Sequence, residues 1–229
     1  MRRGCCRLRA KLKQRYFYAV FVILSAALAV VTWRQYAAID WTETFGFITG
    51  ALCVWLTVEE NIWNWPIGIA NNVFFIFLFV GQRLWADTGL QVVYIVLGFL
   101  GWYWWLHGGK DKKELHVSKT PRVEWAILAV IGIIATYGMT VYLKGVDDGA
   151  PFLDAITTVL SLIAQYMITK KYLENWWVWI VVDLLSIYMY IVKHLYLTAV
   201  LYAIFTYMCV LGLTAWHRSF KNDLERTFV

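Results

Sequence analysis

Eight stretches of this chain are apolar over the length that a lipid bilayer demands, and no other feature restricts the fold so far. They run 16–33, 42–59, 63–81, 88–106, 123–143, 151–169, 175–193 and 196–216. A spanning helix needs about 20 mostly apolar residues. Lipid offers no partner for an open backbone, so helix is the form such segments take. The alternation of a barrel strand is absent. Composition agrees: 61% of residues are hydrophobic and 16% charged, where a soluble domain carries about a quarter charged residues. The three prolines form no linker and no soluble module separates out. The expected fold is an all-α integral membrane protein with eight transmembrane helices.

The net charge of +6 invites a nucleic-acid reading, but the basic residues sit at the ends of apolar segments and make no aromatic-basic face. They report orientation instead. With the N-terminus in the cytoplasm, 17 of the 21 Lys and Arg fall on the cytoplasmic side and 4 on the other. Both termini and the longest loop, "HGGKDKKELHVSKTPR", are then cytoplasmic, and its two histidines read as solvated loop residues. Cys5, Cys6, Cys53 and Cys209 imply no disulfide framework and have no metal-ligand spacing. The basic, then apolar, N-terminus resembles a signal peptide, but its apolar run is long and has no small-residue cleavage site, so it reads as a retained anchor.

Sliding the chain by 111 residues aligns Glu43 to Trp216 on itself without gaps. Asn64-Trp65 falls on Asn175-Trp176, Asn72 on Asp183, Trp85 on Tyr196, Gly101 on Gly212 and Trp105 on Trp216. From Thr42 to Trp105 there are nine identities in 64 positions. Apolar composition alone supplies several of these; the matched polar positions and equal span lengths carry the reading. The organisation expected is 1–41, a basic N-terminus and extra helix; 42–106, a first three-helix repeat; 107–149, a loop and linker helix; 150–217, a second repeat; and 218–229, a tail. One linker span makes the two repeats parallel, a 3+1+3 core. Repeats related by an axis along the membrane normal belong to transporter architecture, with a site near midplane where they meet.

Polar residues in the spans fall on stripes at helical spacing. Trp176, Trp179, Asp183, Ser186 and Tyr190 share one face, and Trp177 points away. Asp183 lies roughly 13 Å inside the helix end at about 1.5 Å per residue. A carboxylate at that depth is expensive and marks a functional candidate, with a structural hydrogen-bond hub as the alternative. Asn72 is its counterpart on the first repeat. Span 151–169 presents Asp154, Thr157, Thr158, Ser161 and Gln165, and span 88–106 presents Gln91, Tyr94, Gly98, Gly101, Trp102 and Trp105. Trp176 and Trp177 follow two lysines, where interfacial anchors sit. Trp177 reads as an anchor, and Trp176 as either anchor or site. Gln91 serves either as helix glue or as a ligand contact. The candidate binding set is Trp176, Trp179, Asp183, Asn72, Gln91, Tyr94, Gln165 and Ser186. Pro66 and Gly68 open span 63–81 and mark either a hinge or a plain helix start.

Indole faces, amides and one carboxylate suit a planar, polar ligand that is neutral or cationic. No Lys or Arg stands at mid-depth to hold a phosphate, so a nucleoside fits better than a nucleotide. The stretches "NWPIGIANNVFFIFLFVGQRLWADTGLQVVYIVLGFLGWYWW" and "ENWWVWIVVDLLSIYMYIVKHLYLTAVLYAIFTYMCVLGLTAW" resemble the PnuC family of bacterial vitamin transporters over roughly residues 42–216. The marks are Trp65-Pro66, the run Leu84 to Gln91 with Tyr94, Trp176 with Trp179, and Gly212 with Trp216. The resemblance implies uptake of nicotinamide riboside or a related vitamin (thiamine or riboflavin) across the bacterial inner membrane. It also implies a core similar to the SWEET sugar transporters, a homotrimer, and facilitated diffusion with trapping by a cytosolic kinase. No cofactor or metal is expected. Three other readings compete. Proton coupling at Asp183 or Asp154 has one deep carboxylate and no partner chain of carboxylates. An enzyme lacks any H-E-x-x-H or G-x-S-x-G motif, and Asp147 with Asp148 sits in a short outer loop. A channel lacks rings of like charge.

Overall fold

A computed structural model describes residues 41–81, 85–109, 112–145, 149–192, 194 and 196–227. The expected span 16–33, Leu84 and the Asp147-Asp148 pair lie outside them. The chain forms two compact units, Met1–Gly50 and Ala51–Val229. In the first, the described residues are helical from Trp41, and the Thr49 hydroxyl donates to the Phe45 carbonyl at 2.7 Å.

Seven helices are described: α1 Trp41–Val58, α2 Asn64–Gly81, α3 Trp85–His107, α4 Arg122–Gly145, α5 Pro151–Thr169, α6 Asn175–Val192 and α7 Tyr196–Thr227. Six of them, α2 to α7, are long and apolar enough to cross a membrane. No strand occurs among the described residues, only an isolated parallel bridge between Ser118 and Tyr172. The helices lie within a few residues of the expected spans, with one exception. α7 runs on past Trp216 to Thr227, because nothing from His217 to Thr227 is Gly or Pro and its charged residues favour helix once they are in water.

Adjacent helices pack as hairpins, α2 on α3 and α6 on α7. α5 is the hub, in contact with α3, α4 and α6. α4 leaves most of its surface uncovered, with Val123, Ile133, Ile134 and Tyr137 all exposed. In a membrane-spanning helix such a surface faces lipid.

Two turns repeat one geometry. α1 ends with Glu60 at φ 54 and α5 ends with Lys171 at φ 51. Glu60 N–H donates to Thr57 O and Asn61 N–H to Leu56 O; Lys171 N–H donates to Ile168 O and Tyr172 N–H to Met167 O. Each is a Schellman cap, a helix end whose left-handed residue is usually glycine. The next helix then starts alike in both places: Asn64 Nδ2 donates to Asn61 O at 2.9 Å, and Asn175 Nδ2 to Tyr172 O at 2.6 Å. Pro66 follows in the first turn of α2, where a missing N–H costs nothing, and α2 runs unbroken through Pro66 and Gly68.

Candidate functional site

The two turns lie at one end of the Ala51–Val229 unit, together with the loop 112–121. Together they form the long-loop end. A row of four indoles closes it. Trp65 meets Trp105 edge-on at 5.3 Å, Trp105 meets Trp216 at 6.0 Å, and Trp216 meets Trp176 edge-on at 5.3 Å. The backbone makes room for the outer two. Gly101 faces Trp65 and Gly212 faces Trp176, and a Cβ at either glycine would run into the ring. The inner two are tied crosswise. Trp105 Nε1 donates to Ile168 O at 3.0 Å, and Trp216 Nε1 donates to Thr57 O at 3.0 Å. Each carbonyl is the one that already accepts the left-handed residue of its own cap. Every partner in one set stands 111 residues from its counterpart in the other.

Above this seal lies a polar interior. Asp183, on α6, is 4% exposed. The Cys209 thiol of α7 donates to its Oδ2 at 3.5 Å. Tyr202, two turns before Cys209 on α7, lies within electrostatic reach of Asp183, Tyr94 and Tyr190, and shares a hydrogen bond with Tyr190. Tyr94 of α3 is hydrogen-bonded to Ser161 of α5. One carboxylate, three phenols, a thiol and a hydroxyl thus converge from α3, α5, α6 and α7. A thiol is a weak donor, so Asp183 keeps acceptor capacity that a buried carboxylate ordinarily fills.

The expected site residues divide accordingly. Asp183 and Tyr94 are brought together in this interior, and Ser186, buried one turn above Asp183, belongs with them. Trp176 is fully buried and wedged edge-on against Trp216, so it is not an exposed anchor. Trp179 is half-buried and packs on the cluster of Leu128, Ala164, Met167 and Val178. Trp177, 57% exposed, points outward as expected of an anchor. Asn72, Gln91 and Gln165 are half-buried. The Gly98-Gly101 side of α3, which shares the Gln91 stripe, packs on Ile69 and Trp65 of α2. Tyr202 and Cys209 were not among the expected site residues. They stand seven residues apart on α7 and Trp216 seven further on, a heptad face legible in the sequence. Five buried polar atoms in this region have no partner among the described residues: Nε1 of Trp65, Trp176 and Trp179, and Oδ1 of Asn71 and Asn175.

The long-loop end is tightly built. Glu124, in the first turn of α4, accepts the Tyr166 and Tyr172 hydroxyls at 2.7 and 2.6 Å. Burial, and then the Glu124 carboxylate, push the Tyr172 phenol above its ordinary range. Glu174 accepts both the N–H and the hydroxyl of Thr120 at 2.9 Å. His116 meets Asp223 of the extended α7 at 3.0 Å, so this loop histidine, though exposed, is partnered. Glu60 and Lys171, the two left-handed residues, form an ion pair at 3.0 Å. The Lys171 ammonium also sits 4.5 Å from the Trp105 ring centre, and Lys170 sits 3.6 Å from that of Trp104. A groove of about 640 Å³ lies between α3, α4 and α5, walled mainly by Val93, Ile127, Ile131, Leu162 and other apolar side chains, with Glu124 and Tyr166 also on its lining. None of the candidate residues lines it, which sets it apart from the polar interior.

Among solved structures, the chain is similar to the crystal structure of the vitamin B3 transporter PnuC. The TM-score is 0.68 at 24% identity, over 90% of this chain and 92% of that one, which establishes a shared fold. Among curated proteins it is similar to the nicotinamide riboside transporter PnuC of Escherichia coli (27% identical; 82% of this chain, 90% of that protein). It is also similar to the PnuC of Neisseria mucosa (24%; 75% and 67%) and to the riboflavin/roseoflavin transporter RibM of Streptomyces davaonensis (23%; 81% and 88%). The family model described as nicotinamide mononucleotide transporter matches residues 40–218. With its apolar helices and buried polar interior, and with that match across most of its length, the chain belongs to this family of membrane transporters, the PnuC family.

Proposed function

We propose that the protein takes up nicotinamide riboside by facilitated diffusion, and that phosphorylation in the cytosol then traps the product. One observation carries the reading: a buried aspartate, Asp183, close to Tyr202 inside an apolar helix bundle, whose one donor among the described residues is the weak Cys209 thiol. Ribose hydroxyls supply the missing donors, and the nicotinamide cation suits a carboxylate with phenol and indole faces. Trp179 Nε1 and Asn71 Oδ1, without partners among the described residues, give further capacity for a polar ligand. Although the family is described by the mononucleotide, no Lys or Arg lies in the described helices away from their ends, apart from those on the stretch of α7 beyond Trp216. A phosphate has no counter-charge there, which favours the riboside that most of the named relatives carry.

In this reading α1–α3 and α5–α7 are two parallel three-helix repeats, joined by α4 into a 3+1+3 core with an extra helix before it. The matched caps, indoles and glycines at a spacing of 111 residues support it. The long-loop end faces the cytoplasm, in keeping with its lysines and arginines, and so do both termini, in the inner membrane of a bacterium. The repeats rock about the polar interior, with Pro66 and Gly68 at the foot of α2 as a hinge, and the protein assembles as a homotrimer. Asp183, Ser186, Tyr94 and Trp179 hold the ligand; Asn72, Gln91 and Gln165 complete the set, and Trp176 closes it from below.

Uptake of labelled riboside into proteoliposomes tests this. Asp183→Ala and Trp179→Ala each lower uptake while leaving expression intact; full uptake in both disposes of the site. The riboflavin-carrying relative supplies the second reading. Calorimetry against nicotinamide riboside, thiamine and riboflavin ranks the ligands, and a preference for riboflavin replaces the first. Riboside influx that follows an imposed pH gradient replaces facilitated diffusion with proton coupling.

A further inference from the structure

The two residues at the left-handed positions of the caps carry opposite charge and meet each other. A non-glycine residue in that conformation is strained, and strain held in place by its surroundings points to a role for the side chain. Glycine at Glu60 or Lys171 would relieve the backbone and lose the pair. The pair is also sheltered: the Lys171 side chain is 8% exposed and that of Glu60 24%. Its geometry is particular. Each residue follows directly on the helix whose carbonyl, Thr57 O or Ile168 O, takes the indole N–H of the opposite triplet. Rocking of α1–α3 as a unit against α5–α7 at this end therefore separates Glu60 from Lys171 as it breaks the two indole bonds. Two copies of one sequence would bring like residues together here; this chain brings an acid and a base.

We propose that Glu60 and Lys171 are a charge latch that holds the long-loop end closed and limits how often the polar interior opens there. The inference deepens the transport reading and rests on it only for the direction of release. Neither residue touches the polar interior, so both act on the ligand through the gate. With the pair intact the seal is the resting state; with either charge removed, the open form gains population.

Cys209 is a native reporter, since its thiol lies beside Asp183 above the seal. In a background with Cys5, Cys6 and Cys53 changed to Ser, inside-out vesicles are treated with a membrane-impermeant maleimide, with Cys209→Ser as the blank. Glu60→Gln and Lys171→Gln each raise the labelling rate on the order of tenfold, the factor that 1.4 kcal/mol represents. The exchanged pair Glu60→Lys with Lys171→Glu returns it toward the parent value. Equal labelling in the parent and both neutral variants, at unchanged melting temperature, overturns the latch. So does fast labelling in the exchanged pair when that variant melts with the parent. If a neutral variant fails to fold, the exchanged pair and a Glu60→Asp variant, which keeps the charge, decide the matter: both must label slowly. Labelling that responds as stated in a protein that moves no riboside keeps the latch and removes the transport reading. Riboside uptake with unresponsive labelling does the reverse.

Discussion

Adding one methyl group at Gly212 tests the indole row most directly. A Cβ there would stand 2.5 Å from two atoms of the Trp176 ring and 2.6 Å from a third, where real contacts essentially never fall below 3.0 Å. The ring must retreat by about 1 Å to reach ordinary contact. It is wedged edge-on against Trp216 at 5.3 Å, and Trp216 is pinned by its bond to Thr57 O. The retreat therefore forfeits part of an aromatic pair worth about 0.5–1.5 kcal/mol and adds an overpacking cost of about 1–3 kcal/mol. Alanine in a helix returns at most about 1 kcal/mol. The net loss is about 1–3 kcal/mol, or a melting temperature lower by roughly 3–10 °C for a chain of this size. Gly101→Ala behaves the same way against Trp65. Two controls set the scale. At Gly68 a Cβ would make ordinary contact with Cys53 Sγ at 3.8 Å, and at Gly138 it would meet nothing within 4 Å, so alanine there is neutral or mildly stabilising. Thermal unfolding followed by tryptophan fluorescence in detergent ranks the four. Gly212→Ala melting level with Gly138→Ala would refute the reasoning, because the close approach of backbone to indole would then carry no cost.

Other outcomes follow from the same contacts. Glu124→Gln weakens two charge-assisted bonds, from Tyr166 and Tyr172, and lowers stability by about 1–3 kcal/mol in the same melting assay; an unchanged melting point excludes the clamp. The raised Tyr172 phenol contributes stability that is complete below the ordinary tyrosine value, near pH 10, and is lost as pH climbs above it toward the folded value. Tyr172→Phe flattens that part of the alkaline stability curve, and a parallel fall in both proteins counts against it. Trp105→Phe keeps an aromatic ring in place but removes the bond to Ile168 O, and speeds maleimide labelling of Cys209 from the long-loop side; identical labelling would show that the bond does not hold the seal.

How much of this was legible in sequence depends on the kind of contact. Helices were, because about 20 apolar residues between charged ends have one solution in lipid. The 111-residue register was also legible, because Asn64-Trp65, Gly101 and Trp105 recur as Asn175-Trp176, Gly212 and Trp216. Faces were legible and partners were not. The stripe that joined Trp176 to Asp183 is real, but a helical projection does not say that Gly212 lets the Trp176 ring bury completely while Asp183 meets Cys209. The continuation of α7 as helix was not legible, because hydropathy stops at Trp216 and helix formation does not. The role of Glu60 and Lys171 was hidden for another reason: a left-handed cap is normally signalled by glycine, and here a charged residue occupies it in both places.

The crossed indole bonds also set an order of assembly. Trp105 is made before its acceptor Ile168, 63 residues ahead of it, and Thr57 waits 159 residues for Trp216. A ribosome that has delivered the first three helices has therefore delivered half of each joint and no complete one. α5 completes the first joint with the Ile168 carbonyl, and α7 completes the second with the Trp216 indole. This end is shut only once Trp216 has been made, so a chain truncated just before Trp216 lacks its closure.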